Sequence, residues 1–201
     1  MTVRLGILGG TFDPIHYGHL AIAEEARVRF ALERVLFVPA GEPPHKEQGL
    51  ASGEQRYLMT VLATADHPAF AVSRIEIDRS GPSFTVETLR LLHAQQPDEE
   101  LFLILGADMA VDFPKWREPE TILELAQVIV ATRPGIPNAA LDALSKQPGM
   151  ERLLLMPAPG LDISSTALRQ RIHAGTGLRY LTPDPVAAYL TKEGLYSSPR
   201  S

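Results

Sequence analysis

The stretch VRLGILGGTFDPIHYGHLAIAEEARVRF, Val3 to Phe30, decides the fold. Val3 to Leu8 is an apolar run too short for a typical helix and bounded by Gly9 and Gly10, the pattern of a buried strand that stops where a loop begins. From about Gly18 the pattern changes: Leu20, Ile22, Ala23, Ala26 and Phe30 recur at roughly helical spacing, and Pro14 suits the connection between the two elements. The loop therefore lies at a strand's carboxyl end and a helix's amino end. There, unpaired N–H groups and the helix dipole favour negative charge, and glycines let a polyphosphate approach the main chain. His16 and His19 are three positions apart, so on a first helical turn both rings project to one side as a paired clamp. The glycine spacings of the P-loop and of the dinucleotide fingerprint are absent. Two histidines without cysteines or an obvious third ligand argue against zinc, and no metal ligands are assigned. A plain turn followed by surface histidines is the competing reading of the same residues.

Outward from this unit, apolar strand candidates alternate with helical ones. The strands are Arg34 to Pro39, Phe70 to Ile77, Leu101 to Leu105, Gln127 to Thr132 and Arg152 to Met156. Helices are expected at Ser52 to Ala65, where Ser52 and Gln55 form a capping box, and at Thr85 to Gln96, which stops before Pro97. Others are expected near Glu118 to Leu125, Asn138 to Lys146, Ser164 to Ala174 and Asp184 to Lys192, with Gly175 and Gly194 as C-terminal caps. Such alternation predicts an α/β fold: a doubly wound parallel sheet with helices on both faces and its functional loops gathered at the strands' carboxyl ends. The chain reads as a single domain over 1–201, with a C-terminal helical segment at about 164–193.

Composition narrows the function classes. With 201 residues, 45% of them hydrophobic, the chain can bury one substantial core. A net charge of -5 argues against a general nucleic-acid binder and for small-molecule partners. The absence of cysteine removes disulfide and thiolate chemistry and fits a cytoplasmic protein. The N-terminal strand leaves no room for a signal peptide, and no apolar run is long enough for a membrane partner. Homo-oligomerisation is left open.

Further candidates lie along the chain. In Ile163 to Arg169, Ser164 or its neighbour can cap a helix, turning the N–H groups of Ser165 and Thr166 outward, with Thr166 and Arg169 on one face. Lys46 belongs to a polar Pro/Gly-rich loop, Gly41 to Gly49, long enough to fold over a ligand. Asp108 follows the strongly apolar Leu101 to Leu105 and emerges at the same sheet edge as the first motif. Trp116, the sole tryptophan, stands in a polar stretch, and Thr85 stands at an expected helix start.

Gly10-Thr11-Phe12-Asp13-Pro14 leading into His16-Tyr17-Gly18-His19 matches the nucleotidyltransferase superfamily. The match continues through Pro43-Pro44-His45-Lys46, Ser83-Phe84-Thr85, Gly106-Ala107-Asp108, Phe113-Pro114-Lys115-Trp116, Arg133-Pro134-Gly135 and Ile163 to Arg169. Together these motifs resemble the bacterial nicotinate mononucleotide adenylyltransferases. The resemblance implies a Rossmann-like sheet with its ligand at the topological switch point. It further implies transfer of the adenylyl group of ATP to nicotinate mononucleotide, giving deamido-NAD and pyrophosphate. By the same resemblance His16, His19, Lys46 and Arg169 are the catalytic cations. Gly9, Gly10, Thr11, Phe12, Gly106, Asp108, Arg133, Ser164, Ser165 and Thr166 join His16, His19 and Arg169 around ATP. Lys46, Thr85 and Trp116 hold the mononucleotide, the indole stacking on the pyridine ring. Mg2+ comes held mainly by the ATP phosphates.

Where relatives often carry a second aromatic residue after this tryptophan, the chain has Arg117, whose charge could instead attract the nicotinate carboxylate. Two other readings stay open: a phosphopantetheine adenylyltransferase-like enzyme, which shares the first motif but has no reason to carry the Trp116 loop, and a non-catalytic nucleotide sensor.

Overall fold

The computed structural model describes residues 2–42, 51–132, 146 and 149–197. Among these residues six strands form one parallel sheet: β1 (Val3–Gly10), β2 (Arg34–Pro39), β3 (Phe70–Val72), β4 (Glu99–Gly106), β5 (Gln127–Thr132) and β6 (Leu154–Pro157), in the order β3-β2-β1-β4-β5-β6. The chain winds outward from β1 to β3, returns to lay β4 beside β1, and winds out again to β6. The switch point thus falls between β1 and β4, where the register pairs Ile7 with Leu103.

Both faces of the sheet are covered, which is why its strands read as continuous apolar runs. Leu5, Ile7, Leu101, Leu103, Leu105, Val128 and Val130 point into one core. Leu8, Phe102, Ile104, Ile129 and Ala131 alternate into the other. Helices α3 (Thr85–Gln95), α4 (Ala107–Asp112) and α5 (Pro119–Leu125) pack on the first face. Helices α1 (Tyr17–Arg29), α2 (Gly53–Thr64), α6 (Ser165–His173) and α7 (Asp184–Glu193) pack on the second. Ser52 and Gln55 form the expected capping box, with N–H to side-chain distances of 3.2 and 2.9 Å. Gly175 and Gly194 take left-handed φ values of 68° and 63° at the ends of α6 and α7, which a Cβ would disfavour.

Two strands are shorter than their sequence pattern. After Val72 the alternation Ile75-Glu76-Ile77 serves a turn, closed by Asp78 N–H donating to Arg74 O at 2.9 Å. Its most buried member is Glu76, whose carboxylate accepts from the Thr88 hydroxyl at 2.6 Å. The run from Arg152 likewise begins as a 3-10 turn, Met150–Arg152, because Met150 inserts into the core before β6 starts. Helix α4 was not anticipated; six residues are too few to display a period. The helix expected at Asn138 to Lys146 lies outside the described residues, apart from Lys146 in a turn. No helix among the described residues is long and apolar enough to cross a membrane.

Candidate active site

At the end of β1 the chain makes a sharp return. Phe12 has a φ of 51°, and a Cβ on Gly10 would stand 2.9 Å from the Phe12 ring, so glycine is what lets that ring fold back beneath the loop. The ring is 2% exposed and meets His19 edge-on, with centroids 5.1 Å apart and planes at 89°. Phe12 therefore supports His19 from below, and any contact it makes with a nucleotide would come from its backbone.

His16 is the N-cap of α1 in extended conformation, and His19 is its third helical residue. The His16 backbone N–H donates to Nδ1 of His19 at 3.3 Å, which makes Nδ1 an acceptor and puts the ring proton on Nε2. The two rings stack with centroids 3.7 Å apart and planes within 22°, the shared side that the spacing predicts. Between them Gly18 is a steric requirement: a Cβ there would lie 3.0 Å from two atoms of the His16 ring and 3.5 Å from the Ile163 carbonyl oxygen.

That last contact shows where the second motif comes. Ser164 caps α6 by accepting from the Ala167 N–H at 3.2 Å, as expected. The Ser165 hydroxyl donates to Pro14 O at 2.9 Å, and Arg169 donates to Asp13 O at 2.8 Å and to the Thr166 hydroxyl at 3.3 Å. Residues 13–19 and 164–169, remote along the chain, thus form one joint, in which Arg169 of α6 is tied to the loop that leads into the histidine pair.

Three residues without an assigned role in the sequence hold this joint. The Asp13 carboxylate, 1% exposed, accepts at Oδ1 from the Ala51 N–H at 3.1 Å and from the Tyr196 hydroxyl in a short hydrogen bond. Its Oδ2 lies 3.8 Å from an Arg169 nitrogen. Arg56, 2% exposed, donates to Ala51 O at 3.2 Å, Thr11 O at 2.9 Å and Gly41 O at 3.0 Å. Burial pulls its guanidinium below the usual arginine range, opposed chiefly by the Asp13 charge. Burial and the hydrogen bond to Asp13 push the Tyr196 phenol well above its ordinary value, so it stays a donor. Arg56 was legible in principle, since it shares the buried face of α2 with Met59, Thr60 and Ala63. Nothing in the sequence pattern pointed to Tyr196.

Gly9 is the last residue but one of β1 and Gly106 ends β4, on either side of the switch point. A Cβ on either would meet no described atom within 4 Å, so both backbones face open space. Asp108 is exposed on the first turn of α4.

On the other side of the switch point, Thr85 is the first residue of α3, and Phe84 rather than Thr85 is the N-cap, without a side-chain cap. The segment is fixed by Gly41 N–H donating to the Ser83 hydroxyl at 3.0 Å and by Ser83 N–H donating to Glu42 O at 3.2 Å. Trp116 is half-buried against Phe113, centroids 5.5 Å apart. Arg117 lies over the Phe84 ring at 4.8 Å and pairs with Glu118 at 3.6 Å and Glu87 at 3.9 Å, which brings the Trp116 loop to the start of α3. Its charge is thus already engaged by carboxylates. Lys46 and Arg133 lie outside the described residues; the segment carrying Lys46 is rooted at Gly41 and Ala51, the two positions that Arg56 grips.

A family model described as cytidylyltransferase-like matches residues 7–171. The chain is similar to proteins named probable nicotinate-nucleotide adenylyltransferase. It is 57% identical to one from Roseiflexus sp. over 96% of this chain and 97% of the relative, and 45% identical to one from Herpetosiphon aurantiacus over 96% and 98%. Among solved structures it resembles Plasmodium falciparum nicotinic acid mononucleotide adenylyltransferase complexed with NaAD. That likeness has a TM-score of 0.79 at 20% identity, over 96% of this chain and 97% of the other, and it speaks to the fold.

Proposed function

The chain belongs to the cytidylyltransferase-like family, and from that premise we propose that it transfers the adenylyl group of ATP to nicotinate mononucleotide in NAD biosynthesis. The observation that carries the site assignment is the joint between the stacked His16–His19 pair and Arg169, which gathers three nitrogen-bearing side chains at one edge of the sheet.

The chemistry asks for little beyond placement. The 5′-phosphate of the mononucleotide is an anionic nucleophile at neutral pH. One of its oxygens bonds to the α-phosphorus of ATP, the bond from that phosphorus to the bridging oxygen breaks, and pyrophosphate leaves with the electron pair. No covalent enzyme intermediate is needed. The barrier falls through alignment and through donors placed where negative charge gathers. In this reading His19 offers Nε2–H to the triphosphate, His16 backs it, and Arg169 with Ser164, Ser165 and Thr166 takes the β- and γ-phosphates as a planar fork beside a helix start. Gly9, Gly10 and Thr11 admit the triphosphate close to the main chain, and Gly106 and Asp108 receive the ribose. Lys46 and Arg133 add positive charge and an adenosine contact. Thr85 and Trp116 hold the pyridine.

Among the described residues the donor set of the site is imidazole, guanidinium and N–H, and Asp108 belongs to no cluster of groups that could hold a metal ion. Such a set fits a magnesium ion held by phosphate oxygens and water, where it would neutralise phosphate charge.

The test is direct: incubate the protein with ATP, Mg2+ and, in turn, nicotinate mononucleotide, nicotinamide mononucleotide or phosphopantetheine, and measure pyrophosphate. Release with nicotinate mononucleotide ahead of the others supports the proposal. Release with phosphopantetheine alone, or with none, defeats it.

A further inference from the structure

We infer that Tyr196 is a positioning residue for the phosphate clamp, acting through the buried Asp13 carboxylate on Arg169. The inference rests on the reading of Arg169 as a phosphate ligand and adds to it a part for the C-terminal segment.

Tyr196 follows the Gly194 cap of α7 and reaches back across 183 residues to donate to Asp13 Oδ1. The same oxygen accepts from the Ala51 N–H at 3.1 Å. With Oδ1 held by two donors, the carboxylate has one orientation, and Oδ2 faces Arg169 from 3.8 Å, without a hydrogen-bond partner among the described residues. Arg169 itself is tied to the Asp13 backbone carbonyl at 2.8 Å. The carboxylate therefore attracts the guanidinium without closing a bidentate pair on it.

The hydroxyl matters to this balance as the ring does not. Tyr196 packs among the partly buried apolar residues of the second core, a place phenylalanine would fill equally well. Remove the oxygen, and among the described residues Oδ1 keeps only the Ala51 N–H. A carboxylate 1% exposed then lacks a donor it needs, and among the described residues the charged donor that stands within 4 Å of it is Arg169. Turning toward it, Asp13 becomes a competitor for the guanidinium that the triphosphate requires.

Binding of inorganic tripolyphosphate, measured by calorimetry on the full chain, reads the clamp without relying on turnover. Four proteins are compared: wild type, Tyr196→Phe, Arg169→Ala and the double variant, each first checked by circular dichroism. Tyr196→Phe deletes one oxygen and no packing volume, so the fold persists. The expected result is that it weakens tripolyphosphate about tenfold in the wild-type background and less than twofold in the Arg169→Ala background. A purely structural role would give the same factor in both, and that result, or no loss in the single variant, overturns the inference. A wild type that ignores tripolyphosphate overturns it too. Pyrophosphate release with nicotinate mononucleotide is followed separately, so the activity can fail while the binding cycle still decides the part played by Tyr196.

Discussion

Gly18→Ala separates catalytic geometry from stability more sharply than loss of a histidine would. Alanine is the better helix former by about 1 kcal/mol, and Gly18 stands on the first turn of α1. Against that gain, its Cβ would lie 3.0 Å from two atoms of the His16 ring, where ordinary contact begins at 3.4 Å, so the ring must retreat by about 0.4 Å. It has nowhere to go at no cost: the ring is 2% exposed and stacked 3.7 Å from His19, which in turn abuts Phe12. Overpacking of that kind costs roughly 1–3 kcal/mol, leaving a net destabilisation of about 0–2 kcal/mol. Catalysis responds more steeply, since misplacement by about 1 Å can lose on the order of a hundredfold. A shift of less than half that distance, passed from His16 to His19, predicts a loss of about tenfold in kcat/KM. The assay is pyrophosphate release under subsaturating ATP, paired with a urea titration. Turnover equal to wild type in a folded variant would refute the view that the histidine stack is held by the absence of a side chain at position 18.

Three further outcomes are expected. His19→Ala removes the Nε2–H donor and lowers kcat by about a hundredfold, near 3 kcal/mol, with circular dichroism unchanged; unaltered turnover removes His19 from the site. Trp116→Ala raises KM for nicotinate mononucleotide by about tenfold and that for ATP by less than twofold, and the reverse pattern in steady-state kinetics excludes stacking on the pyridine. Arg56→Met leaves the carbonyls of Thr11, Gly41 and Ala51 without their donor, so the urea midpoint should fall by the equivalent of about 3 kcal/mol. A midpoint within error of wild type would mean that the three carbonyls find water.

The fold was legible because its main signals are local. The run from Val3 to Thr11 carries a strand end, a glycine turn and the switch-point edge in one glance, and Arg34–Pro39 and Gln127–Thr132 appear as strands with the bounds their apolar runs display. Period alone misled at Ile75-Glu76-Ile77, where alternation served a turn stapled by Arg74, Asp78 and Glu54. The histidine stack was legible from its spacing. The residues that hold the stack against α6 were not, because what makes Asp13, Arg56 and Tyr196 a unit is burial together. A sequence displays a carboxylate, a guanidinium and a phenol at positions 13, 56 and 196 without displaying that they meet.

Their meeting resolves an electrostatic difficulty. A chain with a net charge of -5 must receive a polyanion, so its negative charge has to be kept from the receiving edge. At the opposite edge, where the strands begin, carboxylates are spent on arginines: Arg4 pairs with Glu100 at 3.1 Å and Arg34 with Glu99 at 2.7 Å. At the strands' carboxyl ends the one acid inside the first motif, Asp13, is withdrawn from solvent and given to the Ala51 N–H, the Tyr196 hydroxyl and the field of Arg56. If Arg169 is the phosphate ligand proposed above, burying a charge that close to it would be self-defeating were its partners weak, since the carboxylate would then reclaim the guanidinium. With those donors in place the carboxylate stands 3.8 Å from the arginine without closing a hydrogen-bonded pair on it. The polarity of the sheet and the burial of a single carboxylate are on this view one arrangement, and the C-terminal segment completes it.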